Sequence, residues 1–139
     1  MKGKSLTLRT DGASRGNPGH AGVGAVIEVD GTGEQIELCA YIGETTNNVA
    51  EYRALLLALA EAERLSPASI TVRSDSELLV RQLNGEYKVK SSLLKPLFLE
   101  AVRRLRRFSS ARILHVRREE NAMADLLANR AIDAHLKNV

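Results

Sequence analysis

Helical spacing does not begin in this chain until Asn47, and everything before it is β-type. That order limits the folds open to the chain more than any other feature. Leu6, Leu8 and Thr10 alternate with Thr7 and Arg9, the period of a strand, and the alternation stops at Asp11. Gly12, Gly16, Pro18 and Gly19 then turn the chain, leaving an acid at a strand tip beside a glycine-rich loop. Gly22 to Asp30 is apolar and β-branched, and Asp30-Gly31-Thr32-Gly33 is a hairpin signal. Ile36, Leu38, Ala40 and Ile42 share one face of a third strand over Glu34 to Gly43, where Cys39 is expected as a small buried residue. Three strands joined by short turns predict an antiparallel meander.

The helix from Asn47 to Leu65 follows, with cap-type residues Thr45 to Asn48 and Glu51 in its first turn. Ala68 to Arg73 reads as a fourth strand ending at Ser74-Asp75-Ser76, and Glu77 to Leu83 as a helix closed by Asn84-Gly85. Lys95 to Phe108 is helical again, Ala111 to Arg117 alternates as a fifth strand, and Glu119 to Lys137 is a last helix. No linker, repeat or low-complexity tract divides the chain, so residues 1–139 are expected to form one α/β domain.

The helix after strand three is the crossover of a strand-helix-strand unit. If strand four pairs parallel with strand one, Asp11 and Asp75 come to one edge of the sheet, where open α/β sheets bind ligands. Glu51 and Asp125, near the starts of two helices, can point to the same edge. Each of these two acids alone is explained as well by the helix dipole; their joint placement is what suggests a site. Adjacent carboxylates repel by about a few kcal/mol unless a cation or proton intervenes. Four acids without cysteine or nearby histidine make an all-oxygen site suited to Mg²⁺ or Mn²⁺ and not to Zn²⁺. The chain carries a net charge of +3, which permits a polyanionic partner without requiring one. A single cysteine excludes an intrachain disulfide. No stretch has the length of a signal peptide or a membrane span, so a cytoplasmic, membrane-free protein is the expectation.

Four stretches, TDGASRGNPG, TTNNVAEYRAL, SDSELLVRQL and ENAMADLLAN, resemble in order and spacing the signature segments of type 1 ribonucleases H, from about Leu6 to Ala134. The resemblance implies a ribonuclease H-like fold, a five-stranded mixed sheet with helices on both faces. It implies an acidic tetrad of Asp11, Glu51, Asp75 and Asp125 holding two Mg²⁺ ions about 4 Å apart, with Mn²⁺ as a substitute. The implied reaction is hydrolysis of the RNA strand of an RNA/DNA hybrid to 5′-phosphate and 3′-hydroxyl ends, by a monomer. The 2′-hydroxyl would be read by Gly12, Ala13 and Ser14 with help from Asn17, Asn47 and Glu51, while Thr46 matches a position that grips a DNA phosphate.

The sequence departs from the family pattern in three places. The loop before Asp125 holds no histidine; Arg118 or Glu119 is the candidate replacement, and His115 is expected to be packed within its strand. Gly85 to Lys95 lacks the longer basic, tryptophan-containing segment of many relatives, and Val49 stands where an arginine is common. Weaker, more salt-sensitive binding of the hybrid is therefore expected. The Arg103–Arg107 run reads as a solvated helix face, and His20 as an exposed residue without a role. Rival readings are a nuclease of the same fold acting on double-stranded RNA and a non-catalytic nucleic-acid-binding module.

Overall fold

A computed structural model describes residues 3–138. Strands β1 (Ser5–Gly16), β2 (Gly19–Val29) and β3 (Gln35–Thr45) form the meander. They are followed by α1 (Asn47–Arg64), β4 (Ser69–Ser74), α2 (Glu77–Leu83), α3 (Lys95–Leu105) and β5 (Ser110–His115). A short 3-10 turn (Arg118–Asn121) then leads into α4 (Ala122–Lys137). The sheet order is β3-β2-β1-β4-β5, with β1 antiparallel to β2 and parallel to β4, and β4 parallel to β5. The expected five-stranded mixed sheet is thus present.

The helices pack on both faces because the strands are apolar on both. Leu6 and Leu8 of β1, Ile27 of β2 and Ile70 and Val72 of β4 join Tyr52, Leu55 and Leu59 of α1 in one buried cluster. Each such side chain contributes roughly 1.5–3 kcal/mol on burial. Inside this layer the Tyr52 hydroxyl donates to Gln82 Oε1 at 2.6 Å, joining α1 to α2. On the opposite face α4 lies across β2, β3 and β1.

Several local expectations need correction. Asp11 is not at a strand tip: β1 continues to Gly16 because β2 runs beside it as far as Gly16↔Gly19, with a cis Asn17–Pro18 bond in the turn. Thr46, not Asn47 or Asn48, caps α1, its hydroxyl accepting from Val49 N at 3.3 Å, so Glu51 falls in the second turn. Cys39 is exposed, since strand alternation sets it opposite Ile36, Leu38 and Ala40 on an edge strand. His115 is exposed as well, being the last residue of β5 where the sheet gives out. His20 is half-buried, with Nδ1 2.8 Å from the Tyr41 hydroxyl, and Tyr41 stacks on His135 at 3.7 Å.

Candidate active site: an acidic cleft at the sheet edge

The site begins where β1 outruns its parallel neighbour. The last β1–β4 pair is Thr10↔Ser74, so Asp11 and Asp75 are the next residues on two adjacent chains. β1 continues past this point only on its β2 side, and the gap it leaves is the floor of a cleft.

Two glycines then draw a helix in from each face. A Cβ on Gly12 would lie 2.2 Å from the carbonyl carbon of Ala50, so only glycine lets α1 approach this closely. The approach brings Glu51 onto the strand, where its Oε1 accepts from Gly12 N at 2.9 Å. On the other face Gly24, the register partner of Asp11, would meet Ala124 O at 2.3 Å if it carried a Cβ. The next residue along α4 is Asp125. The start of α4 is held from behind by the buried Asn121, whose Nδ2 donates to Thr10 O at 2.8 Å.

Carboxylate oxygens of Asp11, Glu51 and Asp75 consequently lie within 4.8 Å of one another. Asp125 lines the same cleft, of about 730 Å³, together with Gly12, Ala13, Ser14, Asn47 and Arg118. Asp11 is only 4% exposed. Burial pushes its carboxyl well above the usual carboxylate range, the charges of Glu51 and Asp75 push further, and a hydrogen bond and charge from Asp125 add to them. Burial also raises Glu51; the Gly12 amide opposes the rise, and Asp75 and Asp125 reinforce it. A cluster that must take up protons to be tolerable is one that a cation would relieve. The donor set is all oxygen, and such a set fits Mg²⁺ or Mn²⁺.

Two of the expected site residues lie outside the cleft lining. Asn17 uses its Oδ1 to accept from Asn47 N at 3.1 Å, and Thr46 is occupied in capping α1. Ser14 N donates to Asn47 Oδ1 at 3.0 Å, so the hairpin and the start of α1 are mutually braced. Sequence reasoning missed other lining residues: Arg15, His115, Arg117 and Asn129. The only available signal was the recurrence of Asp125, Asn129 and Asp133 at steps of four along α4, a single helix stripe.

The profile of the family described as Reverse transcriptase-like matches residues 9–131. The crystal structure of RNase H1 from Halobacterium salinarum superposes with a TM-score of 0.89 at 40% identity, covering 94% of this chain and 98% of that one. LC11-RNase H1, solved in complex with an RNA/DNA hybrid, gives 0.89 at 45% identity over 94% and 99% of the two chains. This chain belongs to the type 1 ribonuclease H family. Among curated relatives, the chain is 42% identical over 130 residues to the bifunctional protein Rv2228c of Mycobacterium tuberculosis, covering 93% of this chain. It spans only 36% of that relative's length, and 62% of the length of ribonuclease HI from Halobacterium salinarum, to which it is also 42% identical. Among the described residues, no helix is long and apolar enough to cross a membrane.

Proposed function

We propose that the chain is a divalent-metal-dependent endonuclease that cuts the RNA strand of RNA/DNA hybrids, leaving 5′-phosphate and 3′-hydroxyl ends. The observation that carries this reading is the convergence of Asp11, Glu51 and Asp75 within 4.8 Å in a cleft also lined by Asp125. Those four carboxylates would hold two Mg²⁺ or Mn²⁺ ions, which when bound supply an activated water for in-line attack and charge relief at the leaving 3′-oxygen.

The rest of the work belongs to the chain itself. Asp11, set between both helices, would be a ligand common to the two ions. Glu51 is fixed by Gly12 N, so its carboxylate stays aimed into the cleft as substrate arrives. Discrimination for RNA falls to the 2′-hydroxyl, the group that DNA lacks. Gly12 N and Ser14 N already donate to Glu51 and Asn47, so we assign the reading of that hydroxyl to those two side chains and the neighbouring backbone of Gly12, Ala13 and Ser14. Asn17 supports Asn47 from the turn, and Thr46 caps α1 while facing the DNA strand. Arg118, on the cleft wall, is the candidate to take over part of the role of the histidine that this loop lacks. The domain acts as a monomer and in the cytoplasm on this reading.

Cleavage of RNA/DNA, RNA/RNA and DNA/DNA duplexes, compared with Mg²⁺ and with EDTA for the parent and Asp75→Asn, tests the proposal. Hybrid-only cutting that needs metal and vanishes in the variant is expected. Equal cutting of double-stranded RNA would replace hybrid specificity with a broader nuclease, and tight binding without cutting would replace catalysis with recognition.

A further inference from the structure

The stripe of Asp125, Asn129 and Asp133 on α4 faces Arg15 near the far end of β1. Arg15 Nη1 forms an ion pair with Asp133 Oδ1 at 2.7 Å. Its Nη2 donates to Asn129 Oδ1 at 3.2 Å and to Asn129 O at 3.4 Å. Asn129 Nδ2 in turn donates to Asp125 O at 3.1 Å and to Asp125 Oδ1 at 3.3 Å.

The chemistry of the ends dictates the orientation of the middle. A guanidinium can only donate and an ionised carboxylate can only accept. The Asn129 amide therefore has one satisfactory orientation, oxygen toward Arg15 and nitrogen toward Asp125. Flipping it would break both bonds and set like groups against each other. Asp125 is carried by α4, and among the described residues no backbone amide fixes its carboxyl as Gly12 N fixes that of Glu51.

We infer that Asn129 is a positioning residue for Asp125, and that Arg15 holds Asn129 in the orientation that does this. One Asp125 oxygen is engaged by the amide, which would leave the other for a bound cation. The link also ties the β1–β2 hairpin, which carries Gly12 to Ser14, to the helix that carries the fourth acid. The inference rests on the reading of Asp125 as a metal ligand. Partners one bond behind a ligand commonly change metal affinity or activity by 10- to 100-fold when removed.

The test titrates Mg²⁺ by calorimetry into the parent, Asn129→Ala, Arg15→Ala, the double variant and Asp125→Asn, without nucleic acid. Alanine is the best helix former, so Asn129→Ala keeps α4 intact. Asn129→Ala is expected to weaken Mg²⁺ binding about tenfold. Arg15→Ala should weaken it less, and the double variant should be no weaker than Asn129→Ala. With hybrid present, the kcat of Asn129→Ala should recover at high Mg²⁺ with an unchanged KM. Parental affinity in Asn129→Ala, alongside weakened binding in Asp125→Asn, overturns the positioning role and leaves the metal reading standing. Parental affinity in Asp125→Asn removes both together. Additive losses in the double variant overturn the link through Arg15. A raised KM with unchanged metal affinity makes Asn129 a direct substrate contact instead.

Discussion

Replacing Asp11 with asparagine should make the metal-free protein more stable while destroying its activity. Two unit charges 4.8 Å apart, the outer limit of the Asp11–Glu51–Asp75 spacing, repel by roughly 3.5 kcal/mol at an effective dielectric near 20. Asp11 faces more than one such neighbour, but the penalty has a ceiling. Holding a proton at pH 7 on a carboxyl with an unfolded pKa near 3.9 costs only about 4 kcal/mol, so the cluster protonates before repulsion exceeds that. Asp11→Asn should therefore gain about 2–4 kcal/mol in EDTA at neutral pH, or roughly 8–15 °C in Tm for a domain of this size. The pH dependence has a definite sign. The folded-state pKa of Asp11 lies above its unfolded value, so the folded form binds more protons across the interval between them. The metal-free parent then loses stability as pH rises through that interval, at up to about 1.4 kcal/mol per pH unit for each proton. Thermal melts of both proteins in EDTA from pH 5 to pH 8 should show a gap that widens with pH, and millimolar Mg²⁺ should raise the parent more than the variant. A variant that melts at or below the parent at pH 8 in EDTA would mean that Asp11 carries no such penalty in the folded protein.

Other perturbations follow from the same contacts. Gly12→Ala forces a Cβ into the Ala50 carbonyl carbon at 2.2 Å; it should lower Tm by several degrees and hybrid cleavage by at least about 100-fold, and an unchanged melt would contradict the close approach of α1. Tyr52→Phe leaves the buried Gln82 oxygen without its donor, costing about 1–3 kcal/mol in urea denaturation while kcat on a hybrid stays at the parental value. Arg118→Ala should reduce hybrid turnover; turnover equal to the parent's would remove Arg118 from the site. Hybrid affinity should fall between low and physiological salt, because each Lys or Arg on a phosphate releases counterions; with only Lys88, Lys90 and Lys95 in the segment from Gly85 to Lys95, little affinity should remain at physiological salt. An affinity insensitive to salt would contradict that.

Local chemistry and long-range contact were unequally legible in the sequence. The helix Glu77–Leu83 was read to the residue because its stops are chemical: Ser76 caps one end and Asn84-Gly85 closes the other. The succession of strands along the chain and the crossover helix were also legible, whereas the meeting of Asp11 and Asp75 hung on a parallel pairing of strands one and four that the structure supplies. The length of the β1–β2 hairpin was not legible. Gly12, Gly16 and Gly19 look like loop residues in isolation, and only the partner strand shows them to be extended chain, with Gly12 a point of helix contact. His115 shares strand parity with the buried Ile113, and parity says nothing about where the covering layer ends. Asn129 and Arg15 are 114 positions apart, so their bond is a product of the finished fold alone.

Whether these carboxylates are gathered to hold cations is measured directly by anomalous diffraction from crystals soaked in Mn²⁺. Two anomalous peaks are expected in the cleft about 4 Å apart, bonded at roughly 2.1 Å to oxygens of Asp11, Glu51, Asp75 and Asp125. A cleft without a peak at saturating Mn²⁺, or Mn²⁺ bound elsewhere while the four acids remain bare, would contradict it.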